Sequence, residues 1–254
     1  MPSTSQDSSI AASLRDDILR GQYRCGERLP SERDLAQSFG VHRSSVREAF
    51  KRLEQLGVVT IHPGGARVAP IEEASLDVVA HLLALDDPPD PEILDQALEA
   101  TSGFRAMAAR LGTERANEEQ RARMLSILKT MMEAEPEEHD RAELVTELSD
   151  CLVEASGNMV LRLMRRALSA NIDLISVTND AFRVSPAQAE VEPLLWRLSH
   201  AIENADGATA SEAVYRLSCL LRRTLRKQAS EKRGALEKNS VADAFPQGQS
   251  AGGN

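Results

Sequence analysis

The sequence predicts a mainly α-helical protein in two parts: a small head of three helices with one β-hairpin, and a body that is an antiparallel bundle of about seven helices. Three features predict it. Between Val41 and Gly57 the apolar positions Val46, Ala49, Phe50, Leu53 and Leu56 recur at three- and four-residue steps, the period of an amphipathic helix. Directly afterwards, the β-branched run Val58-Val59-Thr60-Ile61, the turn residues His62-Pro63-Gly64-Gly65 and the resumed Arg67-Val68 read as a hairpin. From Glu73 to Lys227 helical periods repeat with almost no strand signal.

In chain order, Met1–Gln6 is polar, and Ile10, Leu14, Ile18 and Leu19 mark a first amphipathic helix from about Ser9, ended by Gly21. Cys25-Gly26 lies in the loop beyond. Ser31-Glu32-Arg33-Asp34 follows a proline and fits a capping-box-like start, in which the serine oxygen accepts a free backbone N–H. Leu35 to Phe39 continue this short helix until Gly40. The amphipathic helix Val41–Gly57 comes next, with Gly57 placed for a left-handed C-cap. A short helix, a turn holding Gly and a second amphipathic helix form a helix-turn-helix, and the hairpin behind it forms a wing.

After a linker near Ala69-Pro70-Ile71, body helices are expected at 73–85, 91–111, 114–134, 137–156, 158–178, 186–205 and 208–228. The breaks between them are Asp87-Pro88-Pro89-Asp90-Pro91, Gly112-Thr113, Glu135-Pro136, Gly157, Ser185-Pro186 and Asp206-Gly207. Such short connections give an antiparallel bundle. Beyond Ala229 the composition turns to Ser, Gln, Gly, Asn and Lys, so 230–254 is expected to be a disordered tail. The expected domains are 1–70, 71–229 and that tail.

The polar face of the Val41–Gly57 helix carries His42, Arg43, Ser44, Ser45, Arg47, Lys51 and Arg52, its cations and hydroxyls crowded into the first turns. That is the face of a helix that reads double-stranded DNA with its N-terminal end. The net charge of -9 opposes this only until it is divided. Residues 20–70 hold nine Arg or Lys against five Asp or Glu, a net of +4, which leaves -13 for the remainder. Phosphates are therefore attracted to the head and repelled by the body.

Three cysteines, Cys25, Cys151 and Cys219, lie far apart, which suits a reducing cytoplasm and excludes a disulfide or zinc framework. No segment approaches eighteen consecutive apolar residues, so a soluble protein without a membrane partner is expected. The adjacent pairs Glu72-Glu73, Asp86-Asp87, Glu118-Glu119 and Glu137-Glu138 diverge on a helix or loop and read as solvated surface, not a paired acid and base. There is no Gly-rich phosphate loop and no G-x-S-x-G, so no enzyme is expected. His42 and His62 belong to the head, while His81, His139 and His200 fall on separate helices with no second His or Cys at i+3 or i+4; neither metal nor cofactor is expected.

The runs L-P-S-E-R-D-L-A and V-x-R-S-S-V-R-E-A-x-x-R-L-E-x-L-G, followed by a Gly-bearing wing tip, resemble the winged-helix regulators of the GntR type over about 55 residues. The resemblance implies a dimeric transcription regulator that binds a short palindromic operator. It makes Arg33, Arg43 and Arg47 contacts to bases and phosphates in the major groove, with Ser44 and Ser45 as hydroxyl donors and His42 beside them. An arginine fork there bonds O6 and N7 of guanine together. The wing tip, His62 and Gly64, approaches the minor groove, with Pro63 standing where the family often has a donor side chain.

The body, over roughly residues 74–226, resembles the FadR-type effector domain, a dimerising and ligand-sensing bundle; the echoes are Ile93-Leu94-Asp95 and Ala155-Ser156-Gly157-Asn158. Many members hold a metal with one Asp and three His. Counted from Ser156-Gly157-Asn158, those places hold Val145, Ser149, Leu195 and Leu220, none of which replaces a carboxylate or imidazole. A site stripped of polar ligands favours an apolar effector, and members without the metal set sense long-chain fatty acyl-CoA. The resemblance thus gives Thr101, Val145, Ser149, Leu195, Leu217, Leu220 and Leu221 as effector-pocket positions, with ordinary packed core as the plain alternative. A small carboxylate or other metabolite is the alternative effector. A helical ligand-binding protein or enzyme, its winged helix mediating protein contacts, is the rival from another class.

Overall fold

The structure, a computed structural model, describes residues 3–133, 141–177 and 187–244. The chain divides into two compact units, Met1–Leu85 and Asp86–Asn254. Ten α-helices and one two-stranded sheet lie among the described residues.

In the first unit α1 (Ser3–Leu19) buries the stripe Ile10, Ala11, Leu14 and Ile18 and packs on α3. The α2 helix (Glu32–Phe39) begins at the expected cap: Ser31 Oγ accepts the Asp34 N–H at 3.2 Å and donates its own proton to the Asp34 carboxylate at 2.6 Å. Gly40, at φ 65°, ends it, and the Val41 N–H returns to the Ala36 carbonyl at 3.0 Å. The α3 helix runs over Arg43–Gln55, because His42 is extended and Val41 belongs to the turn. Its buried residues Val46, Ala49, Phe50 and Leu53 are those of the apolar stripe.

The hairpin β1 (Val59–His62) and β2 (Gly65–Val68) is antiparallel, with Val59 opposite Val68 and His62 opposite Gly65 across the Pro63-Gly64 turn. Alternation decides its faces: Ala66 and Val68 point into the core and Arg67 points out. The sheet gains a third edge from residues 26–29, where the Leu29 N–H donates to Ala66 O at 2.9 Å and the Val68 N–H to Glu27 O at 3.0 Å.

The first unit extends past the expected boundary at residue 70. A 3-10 turn (Ile71–Glu73) and the short α4 helix (Val78–Leu83) replace the expected helix 73–85 and pack on the head; Val78 is 2% exposed within its core. Gly57 makes this possible. Its φ is 74°, and a Cβ there would stand 2.8 Å from the Glu73 carbonyl, so only glycine lets that turn close over the end of α3.

The second unit contains six of the expected helices: α5 (Pro91–Arg115), α6 (Glu118–Glu133), α7 (Arg141–Ala155), α8 (Met159–Val177), α9 (Gln188–Glu203) and α10 (Gly207–Ala244). Its main core joins α6, α7, α9 and α10 through Met124, Leu128, Leu152, Leu195, Leu198, Ile202 and Ala213, with Ala109 of α5. The α5 helix passes straight through the expected break at Gly112-Thr113. Gly112 is a crossing point instead, since a Cβ there would lie 2.3 Å from the Leu152 carbonyl oxygen of α7. The breaks expected at Glu135-Pro136 and Ser185-Pro186 lie outside the described residues.

The expected disordered tail is corrected in its first part. Residues 230–244 continue α10, tied by Lys232 to Asp87 at 2.9 Å and by Arg233 to Asp90 at 3.0 Å, with Ala229 buried just before. Residues 245–254 lie outside the described residues.

Candidate nucleic-acid interface

The first turns of α3 concentrate the polar groups that the sequence singles out. His42, Arg43, Ser44 and Arg47 are exposed and Ser45 is half-buried, above a floor of fully buried Val46 and Ala49. No acidic residue occupies the first turn. Cations at the positive end of a helix oppose its dipole, an arrangement that becomes favourable when a phosphate meets both. The floor fixes the helix; the exposed groups are left for a ligand.

The Arg47 guanidinium is engaged. Its Nε donates to one oxygen of Glu32 at 3.0 Å and a terminal nitrogen donates to the other at 2.8 Å, a two-pronged link between α3 and the start of α2. The hydrogen bond from Arg47 holds the Glu32 carboxyl below the ordinary glutamate range, with the Arg47 and Arg43 charges adding to it. Glu32 therefore gathers both arginines at one corner. Arg33, on α2, leaves 71% of its side chain exposed and rests 3.4 Å from Asp34. Ser44 and Ser45 make no side-chain hydrogen bond with another described residue.

The wing is held to the same helix, because Glu54 near the end of α3 accepts the Ile61 N–H at 3.0 Å. His62 is exposed and its Nε2 lies 3.2 Å from the Thr60 hydroxyl; Gly64 forms the exposed turn. Two further cations belong to this corner and escaped the reading of the sequence. Arg28 bridges to Arg67 across the added sheet edge, and the Arg28 guanidinium lies within 3.2 Å of where a Cβ on Gly65 would stand. Both are exposed, and Arg67 also donates to Gly26 O at 2.9 Å. Their place follows from the long-range pairing of residues 26–29 with β2, which no local pattern in the sequence announces.

In the second unit, the Ser156-Gly157-Asn158 junction is a working cap. Gly157 has φ 61°, and the Asn158 carbonyl side chain accepts the N–H groups of Val160 at 2.9 Å and Leu161 at 3.2 Å. Of the effector-pocket positions, Leu195 is 1% exposed in the main core, and Val145 and Leu217 pack against that core half-buried. Ser149 donates to Val145 O at 2.7 Å, Thr101 is buried and donates to Ala97 O at 2.7 Å, and Leu220 and Leu221 are half-buried on α10. A surface groove of about 360 Å³ between α6 and α7 is lined by Arg123, Ser126, Ile127, Thr130, Glu143, Leu144 and Glu147, none of them among the seven expected positions. Among the described residues no three His, Cys, Asp or Glu side chains converge on a point, and no helix is long and apolar enough to cross a membrane.

Comparison with known proteins agrees with this layout. The family described as "Bacterial regulatory proteins, gntR family" matches residues 6–68, and the FCD domain matches residues 96–218. The HTH-type transcriptional regulator Mce2R of Mycobacterium tuberculosis is 33% identical over 62% of this chain and 66% of its own length. A fatty acid metabolism regulator protein of Shewanella pealeana is 33% identical over 62% of this chain and 63% of its own. The chain thus spans just under two thirds of the length of these relatives. Among solved structures, Lar of Listeria monocytogenes shares the fold, with a TM-score of 0.51 at 18% identity over 89% of this chain and 96% of that one. With a matched domain in each of its two units, the chain belongs to the GntR family of bacterial regulatory proteins, its second unit carrying an FCD domain.

Proposed function

We propose that this protein is a homodimeric transcription regulator acting in the cytoplasm. Two winged helices grip a short palindromic operator, and a small molecule bound in the FCD unit alters that grip. The observation that carries the reading is the exposed Arg43, Ser44 and Arg47 in the first turns of α3, seated on a buried apolar floor, with exposed Arg33 on α2 and α3 braced to the wing through Glu54. A mobility-shift assay on fragments flanking the gene tests it: retardation of at least one fragment is expected, and none would oppose it. The reading is of a binding protein and assigns no enzymatic step.

For the effector, a long-chain fatty acyl-CoA is the proposal, supported by the names of two relatives, fatty acid metabolism regulators of Shewanella pealeana and Cronobacter sakazakii. Titration calorimetry with palmitoyl-CoA and oleoyl-CoA tests it. The effector must bind the DNA-gripping and DNA-releasing arrangements unequally; a coupling of about 1–3 kcal/mol changes operator affinity by roughly 5- to 150-fold. Half-buried Val145, Ser149, Leu217, Leu220 and Leu221 are the proposed lining, while Leu195 supports them from the packed core.

A further inference from the structure

Helix α8 packs on α7 and α5 within the second unit. Its seam with them is a small apolar cluster: Phe104 and Ala108 from α5, Val153 from α7 and Leu161 from α8, with half-buried Leu111 and Leu168 at the rim. Beyond that seam the helix turns large apolar side chains to solvent. Val160 is 59% exposed, Leu163 58% and Met164 43%, and on α5 Met107 is 53% exposed.

Helical spacing puts these residues on one flank. Met164 falls three residues past Leu161 and four before Leu168, beside the seam, while Arg165 takes the opposite flank and meets Asp150 of α7 at 2.9 Å. Met107 likewise falls three residues past Phe104 and four before Leu111. On α5 it is the other flank that α7 approaches, at Gly112 against Leu152. Both methionines therefore lie away from α7, and Val160 and Leu163 widen the stripe on α8. Exposed Arg162 and Arg166 fall on the side of Arg165, so the stripe is uncharged; at its edge Arg110 is neutralised by Glu114 at 3.1 Å.

We propose that this stripe, Met107 with Val160, Leu163 and Met164, seats a second copy of the chain, stripe against stripe about a two-fold axis. The proposal rests on the homodimer proposed above and names its surface. The largest apolar patch of a soluble monomer covers roughly 300–600 Å² and commonly marks a binding surface. A stable dimer covers about 800 Å² on each partner, with an apolar core and a polar rim. The four side chains supply such a core, and the Arg110–Glu114 pair belongs to its rim. A two-fold axis lays each stripe on its own image, so apolar meets apolar and Arg162 and Arg166 stay outside the contact. A charged partner would find no counter-charge there, whereas flexible methionines adapt readily to a surface like their own.

Sedimentation velocity of the full chain at micromolar concentration tests this. Wild type is expected as a dimer. Leu163→Glu is expected to weaken self-association by about 100-fold or more, because the axis brings two new carboxylates into one apolar contact. Leu163→Lys acts likewise, and an equimolar mixture of the two variants recovers the dimer. Leu163 is exposed, so both variants keep the helical circular dichroism of wild type. Trp196→Gln, at an exposed position of α9, which packs on α6 and α10, stays dimeric. A dimeric Leu163→Glu, a mixture that stays monomeric, or a dimer lost in Trp196→Gln overturns the assignment. Unchanged self-association of Leu163→Glu with loss of its heat from palmitoyl-CoA overturns it too and gives the stripe to the effector. A monomeric wild type sinks the homodimer as well, whereas a dimeric wild type indifferent to Leu163→Glu sinks the stripe alone.

Discussion

Arg47 of α3 is clasped by Glu32, the first residue of α2, through two hydrogen bonds of 3.0 and 2.8 Å. The carboxylate orients the guanidinium, yet it also places a negative charge where a DNA phosphate would lie. Arg47 leaves 61% of its side chain exposed and Glu32 32%, so water reaches and screens the clasp.

Replacing Glu32 by Gln therefore strengthens binding to a generic duplex and steepens its dependence on salt by about one unit of slope, as one more cation becomes available to phosphates. Fluorescence anisotropy across a salt series reads this. Weaker binding by the variant would show that orientation of Arg47 outweighs repulsion.

Arg28 at the wing is predicted to act on phosphate alone. Arg28→Ala lowers affinity evenly across sequences and reduces the salt slope by about one unit, with little change in melting temperature. Arg67→Ala has the same effect on DNA but also loosens the sheet edge, because Arg67 bonds Gly26 O. A sequence-dependent loss for Arg28→Ala would assign it to base reading instead.

Two glycines of α5 separate in opposite directions. Gly112→Ala drives a methyl group into the backbone of Leu152 and destabilises by about 1–3 kcal/mol or more. Gly103→Ala, exposed in the same helix with nothing within 4 Å of the added carbon, stabilises by about 0.5–1 kcal/mol through reduced backbone entropy. Urea denaturation of both variants measures this; equal shifts would deny the close crossing of α5 and α7.

Asp95 and Arg222 join α5 to α10 with bonds of 2.7 and 2.8 Å, leaving 16% of the aspartate side chain exposed. The Arg222 hydrogen bond holds the Asp95 carboxyl below the ordinary aspartate value of 3.8. A carboxyl whose pKa falls on folding contributes fully above that ordinary value and loses its contribution as pH drops through the folded one. Asp95→Asn is thus expected to lower the melting temperature by a few degrees at pH 7, with the gap to wild type closing below about pH 4. A gap that persists into acid would trace the effect to packing.

The head was legible from local pattern because its determinants are close in sequence. The spacing of Val46, Phe50 and Leu53 fixes the buried face of α3, and the Ser31 cap and Gly40 fix α2. What escaped notice depends on distant partners. Gly112 reads as a break until Leu152 is brought against it, and Lys232 and Arg233 read as tail until Asp87 and Asp90 pair with them. Val78 reads as the start of the body but is buried in the head. At the interface the residue types were readable, whereas the engagement of Arg47 and the addition of Arg28 required the third dimension.

The central claim is that the first turn of α3 grips duplex DNA. It is tested most directly by comparing wild type and Arg43→Ala on a fragment retarded by the wild type, at about 150 mM salt. The account predicts affinity lower by about 1–3 kcal/mol with an unchanged melting temperature. Equal affinity of the two proteins, or no duplex retarded by either, would contradict it.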